Sequence, residues 1–290
     1  MTLLELRGPL RVTVRLHRHV LWIPFALVLS AAIVLPAGRW YVQSLAQDFA
    51  ATGCRVENTV SGCGIQVRGF LSRSLYVQKM FDFVALSVSA LPLLLGAFVA
   101  GPLIGREFES DTYRLQWTQS VSPARWLAAK LAVPVAAVLL VLPVFVLLTA
   151  WIRRGTLDTW YPMQWYDLPM YGAIGPVAVG YALLGIAVGA LAGLLIGRTL
   201  PAMAAAVTAV GIVWAVLRLL RPRLWPALEG LPGGGNHWSL SDAADPIGTG
   251  TRYHPESHFW PLQLVESAIL LTLVAAAIVA AFALLRRRHR

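Results

Sequence analysis

Residues 131–148 read LAVPVAAVLLVLPVFVLL, and residues 269–285 read ILLTLVAAAIVAAFALL. Both are apolar on every face. Barrel strands would alternate apolar and polar residues in short runs, and a surface helix would keep a polar stripe. A hydrocarbon core about 30 Å thick needs about 20 such residues in a helix, the open form in which lipid leaves no backbone group unbonded. Four further stretches have the same character, so the sequence predicts six transmembrane helices over about 20–37, 83–104, 127–151, 172–196, 200–217 and 262–285.

The composition agrees. The 290 residues are 57% hydrophobic and 13% charged, far more apolar than a soluble domain. The expected fold class is an all-α membrane protein in a single transmembrane domain over 1–290. The stretch before Val20 is long and basic and five more spans follow, so 20–37 reads as a retained helix rather than a cleaved leader.

A net charge of +10 would suggest nucleic acid in a soluble protein. Here it follows topology instead. With the N-terminus inside, the inner segments hold Arg7, Arg11, Arg15, Arg18, Arg106, Arg114, Arg125, Arg198, Arg286, Arg287, Arg288 and Arg290, with Lys130 just inside its helix. The longer outer segments hold fewer cations, diluted by carboxylates. The expectation is N-in, C-in, with outer loops 38–82, 152–171 and 218–261 and an inner loop at 105–126. No nucleic-acid partner is expected. Residues 1–19 place Arg7, Arg11, Arg15 and Arg18 on one helical face, which suits a surface helix against anionic headgroups of the bilayer.

This orientation puts Cys54 and Cys63 in an outer loop, where a disulfide is the expected state and a metal or redox pair the alternative. Gly185, Gly189, Gly193 and Gly197 recur every four residues, with Gly180 before them. Such a face lets another helix approach closely, and Ala202, Ala206, Ala205 and Ala209 of the next span are the expected partners, within the chain or across a subunit seam. His254 and His258 stand four apart, but HPESH is not HExxH and no third ligand is evident, so no metal site is expected. Glu266 is the one carboxylate inside a predicted span. It must be protonated, paired or facing a polar cavity, with a substrate or proton-relay role on one side and the capping of an arginine on the other.

No GxxxxGK[ST] loop is present and the only lysines are Lys79 and Lys130, so no Walker-type ATPase is expected in this chain. No GxSxG or HExxH motif occurs either, and the chain is not expected to be an enzyme.

The inner loop is more distinctive. Arg106-Glu107-Phe108-Glu109 is followed by Thr112, Arg114, Leu115, Trp117, Thr118, Gln119, Ser120, Val121, Arg125, Trp126 and Leu127. Periodicity predicts a short amphipathic helix with Phe108, Thr112, Leu115 and Gln119 on one face. A new helix then starts with Ser122 as N-cap, Pro123 at its first position, and Val121 with Trp126 as a hydrophobic staple.

At these residues the chain resembles the ABC-2-type permeases, in particular a six-span, actinobacterial-type group with the pattern REFE-x-x-T-x-R-L-x-W-T-Q-S-V-x-x-x-R-W-L. Tyr253-His254-Pro255 and Phe259-Trp260-Pro261-Leu262-Gln263, leading into Glu266, resemble the outer approach to that group's last helix. The resemblance implies a bacterial plasma-membrane exporter built from two permease copies, identical or paralogous, and two ABC ATPase subunits. Residues 106–119 would form the coupling helix, with Glu107 and Glu109 contacting basic residues of the ATPase and Phe108 and Trp117 filling an apolar cleft. It implies no cofactor in this chain, ATP and Mg being held by the partner. Cargo is not fixed by it. A regulatory or immunity-type membrane protein that holds a cytoplasmic partner without transport is the alternative reading; a lipid-modifying enzyme or a secondary transporter would need more intramembrane polar groups than Glu266.

Overall fold

A computed structural model describes residues 18–57, 62–112, 122–156, 161–230, 236–240 and 251–289. Most of the predicted surface helix, and Arg114, Leu115, Trp117, Thr118 and Gln119 of the inner loop, lie outside the described residues.

Helix α1 runs Arg18–Ala51 and α2 runs Gly64–Leu95. The stretch 38–82, expected as an outer loop, is mostly helical. Hydropathy marks where a helix leaves lipid, not where it ends. These two continue as an antiparallel pair because they bury Leu45, Val67 and Val77 and stack Phe49 on Phe70, ring centroids 4.2 Å apart. Cys54 and Cys63 form a disulfide across the turn between them.

Helix α2 passes through a π-helical turn, Gly96–Ala100, into α3, Gly101–Glu109. Asp111 then adopts a left-handed conformation, φ 53°, which breaks the helix. Arg106–Glu109 are therefore the end of a helix continuing from the second apolar stretch, and not part of one amphipathic helix with Thr112. Helix α4, Pro123–Thr156, begins as its sequence predicts: the Ser122 hydroxyl accepts the Arg125 N–H at 3.4 Å and the Ser122 carbonyl accepts the Trp126 N–H at 3.0 Å. Pro134 and Pro143 sit inside α4 without ending it.

The fourth apolar stretch is discontinuous. Helix α5, Leu168–Ala173, stops short of α6, Val177–Ile196, at Ile174-Gly175-Pro176. Helix α7, Thr199–Leu220, follows. A three-stranded antiparallel sheet comes next, within what was read as a loop: β1 Leu228–Gly230, β2 His237–Ser239 and β3 Thr251–Pro255, in the order β1-β3-β2. Short paired runs of three to five residues carry too little periodicity to be seen in sequence. Helix α8, Phe259–His289, closes the described chain.

Four helices among the described residues are long and apolar enough to cross a membrane: Pro123–Gly155, Val177–Ile196, Thr199–Arg223 and Glu256–Arg287. The protein is an all-α membrane protein carrying one small sheet. Helix α6 is its axis. In its most apolar stretch 67% of residues are buried, against 22% in the other three, because α2, α3, α4, α7 and α8 all pack on it.

Gly185, Gly189 and Gly193 are buried on α6, and Gly197 caps it in the left-handed conformation. The closest approach at Gly193 is to α3 and not to α7: a Cβ there would lie 3.0 Å from the Ile104 Cβ, 3.1 Å from the Gly105 nitrogen and 3.2 Å from the Gly101 oxygen. A Cβ on Gly105 would in turn lie 3.2 Å from the Thr199 Cα. Of the alanines expected to pack here, Ala202 and Ala206 are fully buried, while Ala205 is exposed. Glycines at 101, 105 and 193 thus let two backbones touch.

Gly193→Val overpacks this contact against backbone and is expected to cost about 1–3 kcal/mol. Thermal unfolding in detergent will show it as a lowered midpoint, with Gly211→Ala, which meets open space, close to wild type.

Candidate functional site

Polar side chains gather at two ends of the bundle. At one end stands the REFE segment. Glu107 forms an ion pair with Lys130 of α4, and its other oxygen accepts the Trp126 Nε1–H at 3.1 Å. The Phe108 ring meets the Trp126 ring edge-on, centroids 6.2 Å apart. Glu109 reaches the α6–α7 turn, where one oxygen accepts both the Thr199 N–H at 3.0 Å and the Thr199 hydroxyl at 2.6 Å. Those two bonds hold the Glu109 carboxyl below its usual range, against the opposing effect of desolvation and with Arg198 adding to it. Beyond the helix end the Ser110 hydroxyl donates to the Arg106 carbonyl at 2.8 Å and lies 3.0 Å from the Thr112 hydroxyl. Arg106, Asp111, Arg125 and Arg198 are exposed around this end.

Glu107 and Glu109, expected to face a partner's bases, each have a bonding group inside the chain. Sequence reading missed Thr199 and the role of Lys130. The available signal was a lysine, one of two in the chain, set inside an apolar stretch.

At the opposite end, beside the sheet, Glu266 is fully buried on α8. Arg221, just past α7, grips it with both arms of its fork: Nε donates to Oε2 at 2.9 Å and Nη2 to Oε1 at 3.0 Å. The Tyr181 hydroxyl of α6 donates to Oε1 at 2.9 Å. The Arg221 guanidinium lies over the Tyr171 ring, 3.7 Å from its centroid. Bidentate, charge-assisted bonds of this kind are strong in a low-dielectric interior. Of the states expected for Glu266, the structure shows it paired, with Arg221 as the arginine.

Gln263, one turn earlier on α8, closes the break between α5 and α6. Its Nε2 donates to the Tyr171 carbonyl at 2.8 Å and its Oε1 accepts the Val177 N–H at 3.2 Å. Gly175 leaves the space this side chain occupies. A small pocket beside the ion pair is lined by Ser89, Gly172, Tyr181, Trp214 and Arg221. Arg221 and Tyr181 were not singled out from sequence, because their partner is 45 and 85 residues away; Gln263 was marked only as part of the approach to the last helix, and its bond to Tyr171 spans 92 residues.

His254 of β3 is buried, its Nε2 3.1 Å from the Pro222 carbonyl and its Nδ1 3.0 Å from His258 Nδ1. No third His, Cys, Asp or Glu groups with them as metal ligands among the described residues. Arg153 of α4 pairs with Glu256 just before α8. Trp165 is fully buried and packs edge-on against Trp238 of β2 and Phe259 of α8, with centroids 6.0 Å away in each case, seating the sheet on the helix ends.

A bundle of apolar helices packed around a glycine-faced axis defines a multi-pass integral membrane protein. The family model described as "ABC-2 membrane transporter related" matches residues 25–221. The chain belongs to this family of transport permeases. Comparison with curated proteins and with solved structures found no match.

Removing one member of a buried pair strands the other charge. Glu266→Ala is expected to destabilise by about 3–5 kcal/mol, while Arg221→Met with Glu266→Leu recovers most of that loss; thermal unfolding of the three forms in detergent gives the comparison.

Burial holds the His254 imidazole below its ordinary value of 6.5, with Arg252 adding to the effect and the Pro222 carbonyl opposing it. A base whose folded-state pKa is depressed supplies stability above its unfolded pKa and loses it as pH falls below that value. The unfolding midpoint should thus drop as pH is lowered from 6.5, and less steeply in His254→Gln.

Proposed function

We propose that this chain is the permease subunit of an ATP-binding-cassette exporter in a bacterial plasma membrane, working with a separate ATPase subunit and a second permease copy. Membership of the ABC-2 related family over residues 25–221 is the observation that carries the reading. The first apolar stretch falls within α1, a helix of 34 residues, longer than the roughly 20 needed to span lipid, and the second runs without a break from α2 through the π-helical turn into α3. That supports six spans, and arginine-rich ends support N-in, C-in.

In this reading the end of α3 and the residues following it form the cytoplasmic docking point. Arg106 and Asp111 stand exposed there. ATP-driven closure of the partner pair would push this end, and the bundle would rock between two states that bind partner and cargo differently. Catalysis of ATP hydrolysis, with its ATP and Mg, belongs to the partner.

The test is to tag the full chain, extract it gently from its native membrane and identify stoichiometric companions by mass spectrometry. A companion with a GxxxxGK[ST] loop and an ABC signature, recovered one-to-one, is the expected result. Repeated recovery of the chain alone, or with a protein lacking that loop, would overturn the exporter reading.

A further inference from the structure

We infer that Glu107 and Glu109 are positioning residues, which fasten the partner-facing end of α3 to α4 and to the α6–α7 turn so that a displacement there is passed to those helices as one body. The inference rests on the permease reading above and changes one part of it, since the family resemblance would have these carboxylates meet the ATPase.

Helix α3 has nine residues and could bend under load. Three separate attachments oppose that. Glu107 ties it to α4 through Lys130 and Trp126, with Phe108 packed on the same indole. The Glu107 and Lys130 side chains are only 18% and 17% exposed, so water competes weakly for either charge. Glu109 ties it to Thr199, the first residue of α7. An N–H in the first helical turn has no carbonyl of its own helix to bond, and a carboxylate at that end is favoured by the helix dipole. The third attachment is the backbone contact of Gly101 and Gly105 with Gly193 and Thr199.

On its other side α3 joins α2 through the π-helical turn Gly96–Ala100. π turns weaken the regular ladder and recur where function requires local movement. The end of α3 thus travels with α4, α6 and α7.

This role and a docking role make opposite demands on Glu109. Positioning needs an acceptor for Thr199, which Gln supplies; docking on a partner's basic residue needs the charge, which Gln lacks. For Glu107 the demand is for opposite charges at 107 and 130, which an exchange preserves. The two native cysteines are joined, so Leu228→Cys at the sheet end gives one reporter thiol per permease chain, read on that chain after it is separated from its companions.

Its maleimide labelling rate, with and without ATP and vanadate, reads the transmitted movement. Glu107→Ala and Glu109→Ala should shrink that response at least about fivefold, while the companion ATPase is still recovered one-to-one. Glu109→Gln should restore most of it, and Glu107→Lys combined with Lys130→Glu, which keeps the charge pair but not the acceptor for the Trp126 N–H, should restore part. Loss of the companion in Glu109→Gln as complete as in Glu109→Ala, or an unchanged labelling response in the alanine variants, would overturn the inference.

If wild-type chain brings down no ATPase, the exporter reading fails by itself and the fastening is read without a partner. A double-mutant cycle of Glu107→Gln and Lys130→Met on thermal unfolding should then be non-additive, and Glu109→Cys with Thr199→Cys should cross-link in membranes. Additive effects and no cross-link would remove it.

Discussion

Lipid offers no hydrogen bonds, so the backbone polar groups of a membrane-buried chain must be bonded by the chain itself. The break at Ile174-Gly175-Pro176 is where this constraint bears hardest. It frees a carbonyl at Tyr171 and an N–H at Val177, and a single amide side chain, Gln263, bonds both. That fixes the height and rotation of α8 against α6. One turn on, Glu266 comes opposite Tyr181 and Arg221, and the end of α7 is fixed in turn. The sheet, which hangs between α7 and α8, is then held by the Trp165 cluster and by His254 against Pro222.

The other end of the bundle answers the same constraint with different chemistry. Glycines at 101, 105 and 193 bring α3 and α6 into backbone contact. Dispersion between closely packed helices is a main source of association where no hydrophobic force separates helix from lipid tail. The charges there lie at the margin of the apolar region. Glu107 with Lys130, and Glu109 with Thr199, turn a packing contact into a fixed geometry. Two polar fastenings, one near each end of the axial helix α6, leave its middle smooth and apolar.

The residues that resemble the family's coupling segment are legible because they are contiguous: Arg106-Glu107-Phe108-Glu109 needs no fold to be recognised. What the carboxylates touch was not legible. Glu109 meets a threonine 90 residues away, and nothing local distinguishes a carboxylate aimed at a partner from one aimed at the next turn. Glu266 was conspicuous as a charge in an apolar stretch, yet its arginine lies just beyond the end of another stretch, where basic residues ordinarily mark topology. Gln263 was visible only as part of the approach to the last helix, and its bonding was not legible, since one amide in a span is common and its value depends on a break elsewhere.

By itself the sequence determined that this is a helical membrane protein, where its most apolar segments run, how the helix at Pro123 starts, and which family the REFE segment resembles. These follow from hydropathy, capping and local motif, all of which act between near neighbours. Tertiary structure decided where α1 and α2 end, that the fourth stretch is split, that Gly193 meets α3, and which groups answer Glu107, Glu109 and Glu266. Each of those is a contact between residues far apart in the chain, settled by the requirement that buried polar groups be paired and buried surfaces be filled.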